Sequence, residues 1–141
     1  MKKYLVTGGA GFIGSNFVIY MLNKYDDVEI INVDKLTYAG NLENLKSVEN
    51  NPRYSFVQAD ICDKVAISKI FAENDIDYVV NFAAESHVDR SITNPEIFVQ
   101  TNVEGTVNML QCAKIAWQTG DDEYKTGVKY LQVSTDEVYG T

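Results

Sequence analysis

Apolar positions along the chain alternate between short runs and helical stripes. Lys3 to Thr7, carrying Tyr4-Leu5-Val6, reads as a buried strand, and Phe12 to Lys24 as a helix with Phe12, Ile13, Phe17 and Met21 on one apolar face. Glu29 to Val33 is a second strand ending at Asp34. Lys35 to Asn41 is a loop with a Gly40-Asn41 turn signal, followed by a short helix through Leu42, Leu45 and Val48. A third strand, Tyr54 to Gln58, follows the breaker Pro52, and Asp63 is placed to cap a helix running to Glu73. Asp77 to Phe82 is the fourth strand. Asn94-Pro95-Glu96 joins a cap residue to proline at the first helical position, opening a long helix to Gln118. The polar run Gln118 to Gly127 reads as a solvated surface loop, and Val128 to Ser134 as the fifth strand. Strands alternating with helices predict an α/β, doubly wound parallel sheet of order 3-2-1-4-5, Rossmann-like. It is expected to be incomplete at its C-terminal end, because no helix follows the last strand to cover it.

Composition narrows this picture. With 141 residues and 45% hydrophobic content, the chain fits one domain, residues 1–141. Twenty acids against twelve Lys and Arg give a formal charge of -8, which opposes binding to nucleic acid or to an acidic membrane. No stretch has the apolar length of a membrane span, and the N-terminus lacks a signal-peptide pattern, so a cytoplasmic location is expected. Cys62 and Cys112 have neither CxxC spacing nor a neighbouring histidine. They are expected to be buried apolar residues, with no disulfide and no metal site.

The candidate chemistry starts at Thr7-Gly8-Gly9-Ala10-Gly11-Phe12-Ile13-Gly14. Gly8, Gly11 and Gly14 between a strand and a helix allow bare backbone N–H groups and a helix N-terminus to approach a pyrophosphate. Asp34 lies 20 residues past Gly14, at the tip of the second strand, where a carboxylate can accept from ribose hydroxyls and repel a 2′-phosphate. The expected cofactor is therefore NAD rather than NADP, although the neighbouring Lys35 weakens the exclusion. Asp60-Ile61 ends the third strand where an adenine would rest; helix capping is an equal alternative for Asp60. Asn81 to His87 ends the fourth strand with small residues that let a nicotinamide ribose approach. His87, the only histidine, is read as structural. Ser134-Thr135-Asp136-Glu137 offers a hydroxyl and two carboxyls to the same crevice, and its spacing also fits a capping box.

The glycine turn, Asp34-Lys35-Leu36-Thr37-Tyr38-Ala39-Gly40-Asn41-Leu42, Ala83 to Ser91 and Ser134 to Gly140 together resemble the dTDP-glucose 4,6-dehydratases, a family of extended short-chain dehydrogenases/reductases. The resemblance covers the whole chain. It implies cofactor contacts at Phe12, Ile13, Asp34, Lys35, Leu36, Thr37, Asp60, Ile61, Phe82, Ala83, Ala84, Glu85, Ser86 and Thr101, with Ser86 and Thr135 also facing a nucleotide-sugar substrate. The family reaction oxidises the glucose C4, eliminates water across C5 and C6, and returns the hydride to C6. The resemblance assigns Glu137 as the base at C5 and Asp136 as the acid at the departing hydroxyl, with Thr135 beside them. It also implies a homodimer for a full-length enzyme, formed through helices that include the one from Pro95.

One departure stands out. The superfamily needs a catalytic Tyr with a Lys four residues on, and the only such spacing is Tyr20 to Lys24. That pair lies roughly 9 Å along the first helix from the phosphate end, on the wrong crossover unit for the nicotinamide. The Tyr/Lys helix and the substrate domain are expected to follow Thr141, making the chain an N-terminal, inactive portion. A 4-epimerase, a nucleotide-sugar decarboxylase and a non-catalytic NAD-binding module remain as alternatives.

Overall fold

The computed structural model describes residues 1–36, 42–82, 96 and 100–133. In chain order the elements are β1 (Lys2–Thr7), α1 (Phe12–Lys24), β2 (Val28–Asp34), a 3-10 helix (Leu42–Val48), β3 (Tyr54–Gln58), α2 (Lys64–Glu73) and β4 (Tyr78–Asn81). After these come a π-helical turn (Gln100–Gly105), α3 (Thr106–Trp117), β5 (Gln118–Gly120), β6 (Glu123–Tyr124) and β7 (Lys129–Gln132). Five strands form one parallel sheet in the order β3-β2-β1-β4-β7. With β7 as the fifth strand, this is the expected order. Register follows the apolar runs: Leu5 lies beside Ile31 on one side and Val79 on the other.

Side chains alternate across the sheet. Leu5, Ile31, Val33 and Val79 point to a layer made by α2 and α3, where Ile67, Phe71, Met109 and Trp117 close the core. Val6, Val28 and Ile30 point the other way, toward Val18, Met21 and Leu22 of α1 and Leu45 and Val48 of the 3-10 helix. Two apolar faces on every central strand are what a doubly wound sheet requires. Arg53 ties the rear of the second layer, donating to the carbonyls of Tyr25 and Val28 at 2.9 Å and of Leu22 at 3.0 Å.

Three expectations change. α1 buries Gly14, Ser15, Val18, Met21 and Leu22, leaving Phe12 and Ile13 79% and 65% exposed, so those two residues are not part of the core face. The cause is steric: Gly14 packs on the turn below it, and this fixes the helix rotation. The run Gln118 to Gly127 is not simple loop, since β5 and β6 pair as an antiparallel hairpin. Lys125, just beyond it, bonds Asp75 at 2.6 Å and Asp77 at 3.4 Å. The described part of the expected helix up to Gln118 opens as a π turn, Gln100–Gly105, before running on as α3. Its expected start at Asn94-Pro95 lies outside the described residues. Asp63 caps α2 as read, accepting from the Ala66 N–H at 3.1 Å. Cys112 is buried and Cys62 half-buried, and neither forms a disulfide.

Candidate functional site at the carboxyl edge of the sheet

β1 ends in a turn that demands glycine at Gly8, Gly9 and Gly14. Gly8 has a φ of 74°, and a Cβ on Gly14 would meet the Gly8 carbonyl oxygen at 2.3 Å and Gly9 Cα at 2.9 Å. A Cβ on Gly9 would fall 2.1 Å from Asn32 Oδ1. The turn closes through Gly11 N–H to the Gly8 carbonyl at 3.3 Å, and Gly11 then begins α1 with no side chain capping it and no acid in the first turn. Helix N-termini normally receive a capping oxygen. Here no side chain caps the first N–H groups of α1, those of Phe12, Ile13 and Gly14, and the side chains of Phe12 and Ile13 beside them are exposed.

Asp34 joins this turn to β2. Its carboxylate accepts from the Ala10 N–H at 2.9 Å and the Leu36 N–H at 2.7 Å. The second bond holds Leu36 at a φ of 60°, a conformation non-glycine residues seldom adopt. Asn44 of the 3-10 helix donates to the Ala10 carbonyl at 3.1 Å, so the turn is held from both sides.

The third strand end adds Asp60. One of its oxygens accepts from the Cys62 N–H at 2.9 Å, and the other pairs with Lys35 at 3.2 Å. Burial pushes this carboxyl upward, but the Cys62 N–H and the Lys35 ammonium outweigh burial and hold it below the usual range. Beside it the Cys62 thiol is pushed up to about 11, first by burial and then by the Asp60 charge. Asp60 does not cap α2, so the capping alternative is removed. Ile61 is buried, with its carbonyl accepting from Asn108 of α3 at 2.6 Å.

At the fourth strand, the Phe82 N–H donates to the Thr7 carbonyl at 2.8 Å, and the Phe82 ring packs on Phe17 with centroids 5.4 Å apart. Beneath it runs a polar ladder across three strands. Thr7 Oγ1 bonds Asn81 Oδ1, and Asn81 Nδ2 donates to Gln132 Oε1 at 2.8 Å and Tyr130 Oη at 3.2 Å. Thr101 lies in the π turn. Thus Gly8, Gly11, Phe12, Ile13, Gly14, Asp34, Lys35, Leu36, Asp60, Ile61 and Phe82 border the carboxyl ends of β3, β2, β1 and β4. Thr37, Ala83, Ala84, Glu85, Ser86, Thr135, Asp136 and Glu137 lie outside the described residues.

Residue patterning alone overlooked Asn32, Asn44 and Asn108, and gave Thr7 and Asn81 no role of their own. The signal for three of them was present: Asn32 interrupts the apolar run of β2, Thr7 and Asn81 close β1 and β4, and all three are fully buried. Tyr20 and Lys24 do face each other, the Lys24 ammonium donating to the phenol oxygen at 2.8 Å, but on the exposed side of α1. Among the described residues no cluster of His, Cys, Asp or Glu is arranged to hold a metal, and no helix is long and apolar enough to cross a membrane.

A parallel doubly wound sheet with a glycine-built first crossover, an uncapped helix start and an acid at the second strand tip defines the dinucleotide-binding class of α/β folds. Within that class the chain belongs to the GDP-mannose 4,6 dehydratase family, whose model matches residues 5–141. It is 54% identical over 138 residues to the dTDP-glucose 4,6-dehydratase of Shigella flexneri, covering 98% of this chain and 38% of that protein. The crystal structure of dTDP-glucose 4,6-dehydratase from Bacillus anthracis in complex with NAD superposes with a TM-score of 0.82 at 46% identity, over 100% of this chain and 40% of that one. A double mutant of the Streptomyces venezuelae dTDP-glucose 4,6-dehydratase, also solved with NAD, gives 0.84 at 48% identity, over 98% and 41%. The chain therefore spans about two fifths of the length of the relatives it matches.

Proposed function

We propose that the chain is the NAD-binding part of a nucleotide-sugar 4,6-dehydratase acting on dTDP-glucose. The observation that carries this reading is the turn from Gly8 to Gly14. It has no room for a Cβ at Gly9 or Gly14, presents an uncapped helix start, and is tied through Ala10 to Asp34. A pyrophosphate fits the helix donors, and an adenosine ribose fits the tip of β2. Lys35 is held by Asp60, which leaves the Asp34 carboxylate to disfavour a 2′-phosphate.

NAD held there would supply reversible hydride transfer for oxidation at the sugar C4 and reduction at C6. In this reading Phe12 and Ile13 flank the pyrophosphate. Asp60 and Ile61 meet the adenine, Thr37 extends the ribose contacts, and Phe82, Ala83, Ala84, Glu85, Ser86 and Thr101 border the nicotinamide half. Ser86 and Thr135 hold the sugar. Glu137 takes the C5 proton once the neighbouring carbon is a ketone, and Asp136 protonates the departing C6 hydroxyl. Adjacent acids favour a dehydratase over an epimerase, which performs no elimination. The full-length protein would be a cytoplasmic homodimer. The 141-residue chain would bind NAD without turnover, since its one Tyr-x-x-x-Lys pair lies exposed on α1.

The test has two arms. Calorimetric titration of the chain should give saturable binding of NAD and weaker binding of NADP, with no 4-keto-6-deoxy sugar formed on adding dTDP-glucose. In a chain extended to the length of its relatives, Glu137→Gln should suppress C5 deuterium exchange while Asp136→Asn slows loss of the C6 hydroxyl after NADH has formed. If both variants behave as the parent, the dehydratase reading fails and a helix cap explains the Asp-Glu pair.

A further inference from the structure

One stripe of α3 departs from core composition where it meets the Asp60–Asp63 turn. Gly105 comes so close that a Cβ would lie 2.5 Å from Ile61 Cδ1 and 2.7 Å from Ile61 Cγ1. Three residues on, Asn108 Nδ2 donates to the Ile61 carbonyl at 2.6 Å. Four further on, the Cys112 thiol lies 3.7 Å from Asn108 Oδ1 as its donor and 3.5 Å from the Ser68 hydroxyl of α2. That spacing puts the three residues on one helix face. The π turn from Gln100 to Gly105 ends on the first of them, and its wider winding sets the rotation at which α3 begins. The turn so held is also closed by the Asp63 N–H to the Asp60 carbonyl at 2.9 Å, and it carries the Asp60 carboxylate.

We propose that Asn108 is a positioning residue. By gripping the Ile61 carbonyl from behind, it fixes the aim of the Asp60 carboxylate, and with it the preference of the site for a base carrying an exocyclic amine at the adenosine end of the dinucleotide. The ligand in this statement rests on the NAD reading above, whereas the grip is a property of the chain alone.

Asn108→Asp keeps the shape and an acceptor for the Cys112 thiol but removes the donor. Dissociation constants of the 141-residue chain and the variant are measured for NAD and for nicotinamide hypoxanthine dinucleotide, which has a carbonyl in place of the amine. The parent should prefer NAD, and N108D should lose about tenfold of that preference, the scale of one buried hydrogen bond. An unchanged ratio overturns the proposal. So does an equal fall in both affinities, which would report damage to the helix rather than a lost aim. Asn108→Leu fills the space without a donor, and parent-like selectivity in that variant overturns it too. A ligand-free arm follows alkylation of Cys62 by iodoacetamide in a Cys112→Ser background. The reaction should run several-fold faster with the uncharged N108L, and equal rates overturn the grip. Failure of the parent to bind NAD would remove the NAD reading, while the alkylation arm still decides the grip.

Discussion

Asp34 gives both carboxylate oxygens to backbone donors, one from the glycine turn and one from its own loop. The residue expected to read a ribose therefore also holds the phosphate cradle in shape. Asparagine at this position has one acceptor where two N–H groups converge, so Asp34→Asn orphans a donor and removes the charge that disfavours a 2′-phosphate. NAD affinity should fall by about 1–3 kcal/mol, and the preference for NAD over NADP should shrink. Calorimetric titration of both dinucleotides checks this, and unchanged constants would take Asp34 out of the site. Asn32 works on the same turn from below: its amide donates to Tyr54 Oη at 3.1 Å while its oxygen lies where a Gly9 Cβ would stand. Burial drives the Tyr54 phenol upward, and the Asn32 bond only partly offsets it.

The junction of β1 and α1 shows why glycine is demanded at particular steps. Both atoms nearest a Gly14 Cβ belong to backbone, at 2.3 Å and 2.9 Å, and neither can swing aside as a side chain could. Gly14→Ala must therefore lift α1 off the turn and loosen the Val18–Met21–Leu22 face, at a cost of about 2 kcal/mol or more despite alanine's better helix propensity. Urea unfolding followed by circular dichroism measures the loss, and a stabilised variant would contradict the packing. At this scale the periodic elements were legible. Strands β1 to β4 and helices α1 and α2 match their apolar runs to within one or two residues, and Asp63 announced the start of α2. Three features were not. Phe12 and Ile13 look like core by spacing, because periodicity counts apolar residues without knowing that Gly14 sets the helix rotation. The β5–β6 hairpin is built from a run that reads as solvated, held by backbone pairing and by Lys125. The π turn leaves no mark in a hydrophobic pattern. The glycine cradle and Asp34 were readable because their chemistry is carried by local spacing; the asparagine contacts depend on partners up to 74 residues away, as Thr7 to Asn81 illustrates.

Across the whole molecule the charges are arranged at both edges of the sheet. At the carboxyl edge Asp60 pairs with Lys35, and at the amino edge Asp77 accepts from the Lys3 N–H at 2.9 Å and pairs with Lys125 at 3.4 Å. Burial raises the Asp77 carboxyl, but the Lys3 N–H and the Lys125 ammonium overcome it, so both acids stand below the usual 3.8 when folded. An acid depressed in the folded state binds its proton more readily when unfolded. Its contribution is thus complete above about pH 5 and is lost as pH falls through the folded value. Lys125 has the opposite sign: its ammonium is raised above 10.5, chiefly by the Asp75 bond, so its contribution holds at neutral pH and is lost only as pH climbs through the folded value. Stability should accordingly be level from about pH 5 to pH 9 and decline on both sides. Asp77→Asn separates the two limbs. It keeps an acceptor for the Lys3 N–H, removes one titrating carboxylate from the acid limb, and leaves Lys125 with Asp75. Urea midpoints measured from about pH 2 to pH 7 should then fall less steeply on acidification than those of the parent. An acid limb equally steep in the variant would mean that the Asp77 pairing at the amino edge adds nothing to folding, leaving Asp60 and the remaining carboxyls to account for the decline.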